Sequence, residues 1–345
     1  MKKRILRAAA LLLSLACLIL PAAAAGEAVA LRGIAEDSVP DANGIGAAAV
    51  WNIENETFVY EHNVDAPLAP ASLTKLMTAV CAYEVLGDRM DETLTVEYGM
   101  IAAASGNQVG YYVGETVTVR DLFGGLLTRG ANDCAYLLAY AADGGTDAFV
   151  ARMNEKAAAL GMDATVYKNP TGMNAEGAVT TARDSIRVAA AFHAIPALTA
   201  LSSSVQYEMP ATNKAAARII YNRNALVSRV SETGYFDARI TGLNAGSTVE
   251  SGYYAASAVG SETLHYVIVV LGAAEVDGKN LAYTYTSKLA GYALSRFGYI
   301  EVIKASGAVC ELPVTLSSTA DYVTLVPASS LTLYLPLSTD VDTEL

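Results

Sequence analysis

The stretch from His265 to Leu271 (HYVIVVL) constrains the fold of this chain most. It is a nearly continuous run of β-branched and other apolar residues, which suits a buried strand in the middle of a sheet. Two shorter strands are predicted within residues 45–60, around a polar turn at Asn55-Glu56. The stretch 252–273 has strand character throughout. The sequence therefore predicts a sheet built from segments that lie far apart along the chain.

The segments between these predicted strands contain apolar residues at helical spacing. Residues 119–160 are rich in helix-spaced apolar side chains, a further helix is predicted over about 181–194, and Leu281, Tyr285, Leu289 and Tyr292 recur at helical spacing. This order of elements resembles an antiparallel sheet flanked by helices, with an inserted helical subdomain. The fold class predicted is α/β, in its α+β form.

Both ends of the chain differ in character from this region. Residues 1–25 combine a basic start, an uncharged apolar stretch and a small-residue segment, the order of a secretory signal peptide. Residues 26–298 are predicted to form the main domain. Residues 299–345 contain short Val/Leu/Tyr-rich segments separated by Ser, Gly and Pro, which predicts a small β-rich module.

Charge and histidine content exclude two classes of function. The formal net charge is −12, with 23 basic and 35 acidic residues, and nucleic-acid binding requires a basic surface that this composition does not provide. The three histidines, His62, His193 and His265, have no metal-ligand spacing. We therefore predict no nucleic-acid partner and no zinc site.

A serine and a lysine three residues apart are the main candidates for catalysis. Ser72 and Lys75 (SLTK) stand where Pro70 opens an apolar helix, so both side chains lie on one helix face. A neutral lysine amine there can take the serine proton, and the helix N-terminus favours the developing negative charge. The tetrapeptide alone is weak evidence, because a chain of this size contains roughly one by chance. A helix cap beside a surface lysine is the alternative.

The surroundings of this pair resemble the serine-type D-alanyl-D-alanine carboxypeptidases, the low-molecular-weight penicillin-binding proteins of peptidase family S11. The resemblance covers roughly residues 45–300 and keeps the family's order and spacing. It is carried by EHNVDAPLAPASLTKLMTA (61–79), VGETVTVRDLFGGLLTRGANDCAYLLA (113–139), FVARMNEKAAALGMDATVYKNPTGM (149–173), TTARD (180–184), YNRNALV (221–227) and ITGLNAGSTVESGYYAASA (240–258).

Two of the family's three motifs are altered. The second, Ser-x-Asn, aligns with Gly130-Ala131-Asn132, and the third, Lys-Thr-Gly, with Asn244-Ala245-Gly246. Ser105-Gly106-Asn107 and the segment from Arg239 to Gly242 (RITG) mimic these motifs, but lie upstream of the positions that the flanking residues indicate. The hydroxyl of the second motif and the charge of the third are therefore missing. Without that charge, Lys75 is predicted to be a poorer base unless burial compensates.

The resemblance implies a penicillin-binding/β-lactamase-like transpeptidase fold and a set of site residues. Ser72 is the expected nucleophile, Lys75 the general base and Asn132 a positioning group. Asn244, Gly246 and Thr248 are expected to bind substrate, and backbone N–H groups of Ser72 and of the 246–248 strand edge to form the oxyanion hole.

The implied reaction removes the terminal D-alanine from peptidoglycan stem peptides through an acyl-enzyme, without a metal or an organic cofactor. The altered motifs imply reduced activity. Expected partners are a stem peptide ending in D-Ala-D-Ala and β-lactams as covalent ligands, and the expected location is the extracytoplasmic cell envelope. A peripheral association with the membrane or the cell wall stays open. The alternative is a non-catalytic relative that binds peptidoglycan or a cell-wall partner.

Overall fold

The centre of the fold is an antiparallel sheet of five strands. The computed structural model describes residues 39–230, 234–305, 310–313 and 322–339. Within it, the residues up to Gly298 form one compact unit and those from Tyr299 onward belong to another. The predicted signal segment, residues 1–25, lies outside the described residues.

The strands are numbered in chain order. They are β1 (Ala47–Asn52), β2 (Thr57–His62), β3 (Thr93–Thr95), β4 (Thr116–Thr118), β5 (Gln206–Met209), β6 (Arg218–Tyr221), β7 (Ile240–Thr248), β8 (Gly252–Gly260), β9 (His265–Ala273), β10 (Glu275–Val276), β11 (Lys279–Asn280), β12 (Phe297–Ile303), β13 (Cys310–Pro313), β14 (Tyr322–Leu325) and β15 (Leu331–Pro336). The central sheet has the order β2-β1-β9-β8-β7, and the other strands form two-stranded ribbons.

The helices are numbered in the same way. They are α1 (Thr74–Leu86), α2 (Tyr98–Ile101), α3 (Val119–Gly124), α4 (Asn132–Asp143), α5 (Thr146–Ala159), α6 (Ala182–His193), α7 (Pro196–Ser203) and α8 (Leu281–Arg296). Single 3₁₀ turns precede and follow α1, and a π-helical segment, Gly125–Arg129, joins α3 to the residues before α4.

The central strand is buried on both faces, as the sequence predicts. β9 pairs with β1 on one side and β8 on the other, and both neighbours are antiparallel to it. Val267 and Val269 belong to the core shared with α1 and α4, while Ile268 and Val270 point to the opposite face and are equally inaccessible. Small side chains on β1, such as Ala47 and Ala49, leave room for the covering helices. The predicted antiparallel sheet flanked by helices is confirmed.

The residues described from Tyr299 onward form strands and turns. In this second unit β13 pairs with β14, with Cys310 opposite Leu325. The rings of Tyr299 and Tyr334 meet edge to face, with their centroids 5.8 Å apart. The described residues of the predicted β-rich module thus have strand character.

Candidate active site

The backbone immediately before Ser72 adopts an unusual conformation. Ala71 has φ +45°, in the left-handed region that residues with a side chain rarely adopt. Gly172 lies against this turn with φ +76°, and a Cβ atom there would collide with the carbonyl oxygen of Ala71. Only a glycine therefore lets the segment that contains Thr171 approach the turn so closely.

Lys75 is buried behind Ser72, with 1% of its surface exposed. Its Nζ atom lies 2.9 Å from Ser72 Oγ and donates to the carbonyl oxygen of Thr171 at 2.7 Å. Burial disfavours the ammonium form and lowers the pKa of the Lys75 amine to about 7. Near neutral pH a substantial fraction of this amine is therefore neutral, which is the form that can accept the serine proton.

This burial bears directly on the loss of the third-motif lysine. The sequence predicts that Lys75 is a poorer base without that neighbouring charge, unless burial compensates. The pKa of about 7 comes chiefly from desolvation. Because the carbonyl of Thr171 occupies one amine hydrogen, the nitrogen lone pair can point towards the hydroxyl of half-buried Ser72. The Ser72 hydroxyl and the Lys75 amine are therefore in direct contact.

Asn132 is held by the loop Ser105-Gly106-Asn107, whose sequence mimics the second motif. It is the first residue of α4 and is 3% exposed. Its Nδ2 donates to the carbonyl of Ser105 at 2.6 Å, and its backbone N–H donates to the carbonyl of Asn107 at 2.7 Å. The triplet Ser105-Gly106-Asn107 thus packs against the aligned second motif and supplies backbone acceptors to it. Among the residues described, the amide oxygen of Asn132 has no hydrogen-bond partner.

Gly130 aligns with the serine of the family's second motif, and its backbone is in the left-handed region. Its φ is +69°, and it ends the π-helical segment Gly125–Arg129. A Cβ atom there would find room, since its nearest neighbour would be Asn107 Nδ2 at 3.6 Å. The backbone conformation, however, costs a residue with a side chain roughly 1–2 kcal/mol. A serine at position 130 is thus disfavoured by the backbone and not by lack of space.

Asn244 lies on the edge strand of the sheet, next to a bulge. The register between β7 and β8 shifts between Gly242 and Asn244, which faces Ala256. Asn244 is 8% exposed, and within the described part of the chain its amide oxygen has no hydrogen-bond partner. β7 also contacts the turn that carries Ser72. The strand with the aligned third motif therefore borders the turn of Ser72. Hydrogen bonds from Asn132 or Asn244 to Ser72 or Lys75 are absent from the described residues.

Thr248 closes the hairpin between β7 and β8. Its Oγ1 atom lies 2.8 Å from Ser251 Oγ and accepts the backbone N–H of Ser251 at 3.0 Å. The hydroxyl of Thr248 is therefore engaged in the turn, and its predicted role towards substrate remains a prediction.

The Arg239 segment that mimics the third motif lies at the start of β7. The Arg239 guanidinium pairs with Asp237 at 2.5 Å and donates to the carbonyl oxygen of Ser287 on α8 at 3.1 Å. Gly242, which ends this segment, packs against Val227 and accepts a hydrogen bond from Ser202 through its carbonyl oxygen. Arg239 and Gly242, the two ends of this segment, thus both have partners within the fold.

Tyr254 is a site residue that the sequence does not reveal. It lies on β8 directly opposite Gly246 and is 3% exposed. Burial raises the pKa of its phenol to about 12, and the nearby Ser72 partly offsets that rise. Among 20 tyrosines, the sequence gives no reason to separate it from core aromatics. The one usable signal is register, because a cross-strand partner of the third-motif glycine faces the same side of the sheet.

Among the described residues, groups of three or more His, Cys, Asp and Glu side chains suited to hold a metal are absent. Within the same part of the chain, single helices of sufficient length and apolarity to cross a membrane are also absent. The bent pair α6–α7, whose axes meet at 101°, meets the length and composition requirements only when the two helices are taken together.

Ser72 is hydrogen-bonded to a buried lysine where a helix begins, beside the edge strand of an antiparallel sheet. This arrangement is the one expected of a serine acyl-transferase. The family model for D-alanyl-D-alanine carboxypeptidase, peptidase S11, matches residues 38–275. The chain belongs to this family, as its motifs predict.

Two curated relatives and one solved structure illustrate the similarity. D-alanyl-D-alanine carboxypeptidase DacF of Bacillus subtilis is 28% identical over 269 residues, which cover 76% of this chain and 66% of the relative. D-alanyl-D-alanine carboxypeptidase DacC of Escherichia coli is 30% identical over 222 residues, which cover 62% of this chain and 52% of the relative. The chain thus spans between about half and two thirds of these relatives.

The solved structure is penicillin binding protein 5 from Haemophilus influenzae. It has a TM-score of 0.68 and 20% identity, and the match covers 87% of this chain and 84% of that one. At this identity the likeness concerns the fold, and it confirms the predicted penicillin-binding architecture.

Proposed function

We propose that this chain is a serine-type D-Ala-D-Ala carboxypeptidase that acts on peptidoglycan stem peptides through an acyl-enzyme on Ser72. The observation that carries the proposal is the 2.9 Å contact between Ser72 Oγ and the amine of buried Lys75. Membership of the S11 family and the names of the relatives support the reaction and the substrate class.

In the proposed reaction, neutral Lys75 takes the hydroxyl proton while Ser72 Oγ attacks the carbonyl carbon between the two D-alanines. The C–N bond then breaks, the terminal D-alanine leaves with a proton on its amine, and an ester forms on Ser72. Water hydrolyses that ester and restores the hydroxyl. The backbone N–H of Ser72 and one from residues 246–248 are the proposed oxyanion donors, at the positive end of α1.

The altered motifs support slow turnover in this proposal. In the third motif, a lysine would give the terminal carboxylate of the substrate a charge-assisted hydrogen bond worth about 1.5–3 kcal/mol. Asn244 offers an uncharged amide in its place. Gly130 offers no hydroxyl to pass a proton to the leaving amine. Asn132, Asn244, Gly246 and Thr248 are the proposed substrate-facing groups.

Release of D-alanine from a synthetic peptide ending in D-Ala-D-Ala tests the proposal. We expect slow release by the parent protein and none by Ser72→Ala, because the ester cannot form. Ser261→Ala, at an exposed serine in the turn between β8 and β9, is the matched control and should match the parent. Equal release by Ser72→Ala and the parent would contradict the proposal. No release by a folded parent would favour the non-catalytic peptidoglycan-binding alternative.

We expect acylation to depend on the titration of Lys75. The reactive form is the neutral amine, so the second-order rate constant for acylation should rise tenfold per pH unit below about pH 7 and level off above it. The measurement is the rate of labelling by a fluorescent penicillin between pH 5.5 and 9. A midpoint near 10.5, the ordinary value for lysine, would show that burial does not set this pKa.

Penicillins and other β-lactams are proposed covalent ligands, because opening of their ring by Ser72 would form the same type of ester. An exported protein of the cell envelope is the proposed location, and peripheral association with membrane or wall remains a prediction. Export predicts that residues 1–25, within a few positions, are missing from the mature protein. N-terminal sequencing of the secreted form measures this, and an intact Met1 in a membrane fraction would contradict it.

A further inference from the structure

Asn169 folds the loop that covers the Lys75 amine. Its side-chain oxygen accepts the backbone N–H of Thr171 at 3.1 Å, the hydroxyl of the same threonine at 2.8 Å and the backbone N–H of Gly172 at 2.7 Å. Its side-chain nitrogen donates to the carbonyl oxygen of Met173 at 2.9 Å. One half-buried amide therefore holds the backbone of this loop, residues 169–173, in a tight turn.

The same loop is anchored to the helix that carries Lys75. Thr78 Oγ1, one turn further along α1, donates to the buried carbonyl oxygen of Pro170 at 2.6 Å. The next carbonyl, that of Thr171, accepts a hydrogen bond from the Lys75 amine at 2.7 Å. Two successive carbonyl oxygens thus contact α1, and the second belongs to the residue whose N–H and hydroxyl Asn169 binds.

The position of this loop determines how much water reaches the amine. Burial is the main cause of the lowered pKa of Lys75, about 7. The carbonyl of Thr171 lies directly against the amine, so its segment contributes to that burial. A loop that lost its internal hydrogen bonds would open more often, admit water and favour the ammonium form again.

The titratable neighbours of Lys75 stay neutral between pH 5.5 and 9. Cys134, on α4, is the side chain whose charge would act on the amine, and burial raises the pKa of its thiol well above the ordinary value. Burial also raises the pKa of Tyr254, on β8, to about 12. The loop 169–173 and strand β7 contain no titratable side chain. A change in the titration of the amine therefore reports its own solvation.

We propose that Asn169 is a positioning residue for acyl transfer, because the loop that it folds keeps water away from the Lys75 amine and keeps that amine directed at Ser72. This proposal rests on the proposed function, since the amine is the base for acylation of Ser72. Asn169 acts through the backbone of its loop, whose carbonyl at Thr171 is the group in contact with the base.

The test is the pH dependence of acylation by a fluorescent penicillin. In Asn169→Ala we expect the midpoint of the rate profile to rise by about one pH unit, which lowers the rate at pH 6 about tenfold. Asn169→Ser keeps a hydroxyl that can accept the loop N–H groups, so its midpoint should rise less. Asn213→Ala is the matched control, because Asn213 also bonds loop backbone through both amide atoms, at Gly114 and Thr116, and it should keep the parent midpoint.

The midpoint separates a positioning role from general support of the fold. A less stable protein yields less labelled material without a change in midpoint, and thermal unfolding shows which variants are folded. A raised midpoint in folded Asn169→Ala, with Asn213→Ala unchanged, supports the proposal. An unchanged or lowered midpoint, or an equal rise in Asn213→Ala, overturns it, and Asn169→Ser decides in the same way if Asn169→Ala does not fold.

The label on the parent protein separates this proposal from the proposed function. If the parent is labelled at Ser72 while the midpoint of Asn169→Ala stays unchanged, the proposed function survives and the role of Asn169 does not. Absence of Ser72-dependent label in the folded parent overturns both.

Discussion

Replacement of Lys75 by methionine is expected to reduce acylation of Ser72 by about 10²–10⁴-fold, the contribution typical of a positioned general base. Methionine is of similar length and fills the buried site, but its thioether cannot take the serine proton. The measurement is the rate of penicillin labelling at pH 8, where most of the parent amine is neutral. Lys156→Met, at a lysine that pairs with Glu84 at 2.5 Å on the protein surface, is the control and should keep the parent rate.

The same substitution should not weaken the fold at neutral pH. Because burial lowers the pKa of Lys75, the unfolded chain binds a proton that the folded chain gives up between about pH 7 and 10.5. Burial of the charged amine therefore destabilises the fold most below pH 7. This destabilisation shrinks by about 1.4 kcal/mol for each pH unit as the pH rises to 10.5. Lys75→Met should gain in unfolding free energy relative to the parent at pH 6 and lose that advantage towards pH 10. A loss of labelling caused by unfolding would contradict the assignment of the base.

Restoration of the third motif is expected to raise D-alanine release. Asn244→Lys with Ala245→Thr supplies a charge to the substrate carboxylate, worth about 1.5–3 kcal/mol, or roughly ten- to a hundredfold in rate. The new charge should also lower the pKa of Lys75 further, and so move the acidic limb of the rate profile to lower pH. In the described part of the chain, the amide oxygen of Asn244 has no hydrogen-bond partner that the change would remove.

The matched control for this restoration is Arg239→Ala. Its guanidinium is paired with Asp237 and with the carbonyl of Ser287, so its loss should leave the rate of D-alanine release nearly unchanged. If the double substitution altered neither rate nor pH profile in a folded protein while Arg239→Ala abolished activity, the third motif would lie at Arg239–Gly242. Addition of Gly130→Ser, which would restore the remaining hydroxyl, faces a backbone at φ +69°. A smaller benefit is expected from it than from Asn244→Lys.

Long elements with strong patterns could be predicted from the sequence. The run from His265 to Leu271 became the central strand β9, and the helix over about 181–194 became α6 (Ala182–His193). The ribbons β3–β4 and β5–β6 could not be predicted in this way. Their strands have three or four residues, and most of those residues are exposed or only half-buried, so they lack the alternation that identifies a strand.

One contact of the candidate site, between Ser72 and Lys75, could be predicted because local spacing along the chain determines it. Ser72 and Lys75 meet because they are three residues apart, with Ser72 in the 3₁₀ turn that leads into α1. The pKa of Lys75 was not predictable, since it depends on burial by distant segments such as Thr171 and Gly172. Tyr254 stands opposite Gly246 through the register between β7 and β8, which the local sequence does not encode.

The central claim is that Ser72 forms an ester with its substrates. Incubation of the full chain with benzylpenicillin, followed by intact-mass measurement and peptide mapping, tests it most directly. The prediction is one added penicilloyl group per molecule, on the peptide that contains Ser72, with no adduct in Ser72→Ala or after hydroxide treatment that cleaves the ester. An adduct on another residue, or an unmodified mass for the folded parent after prolonged incubation, would contradict the claim.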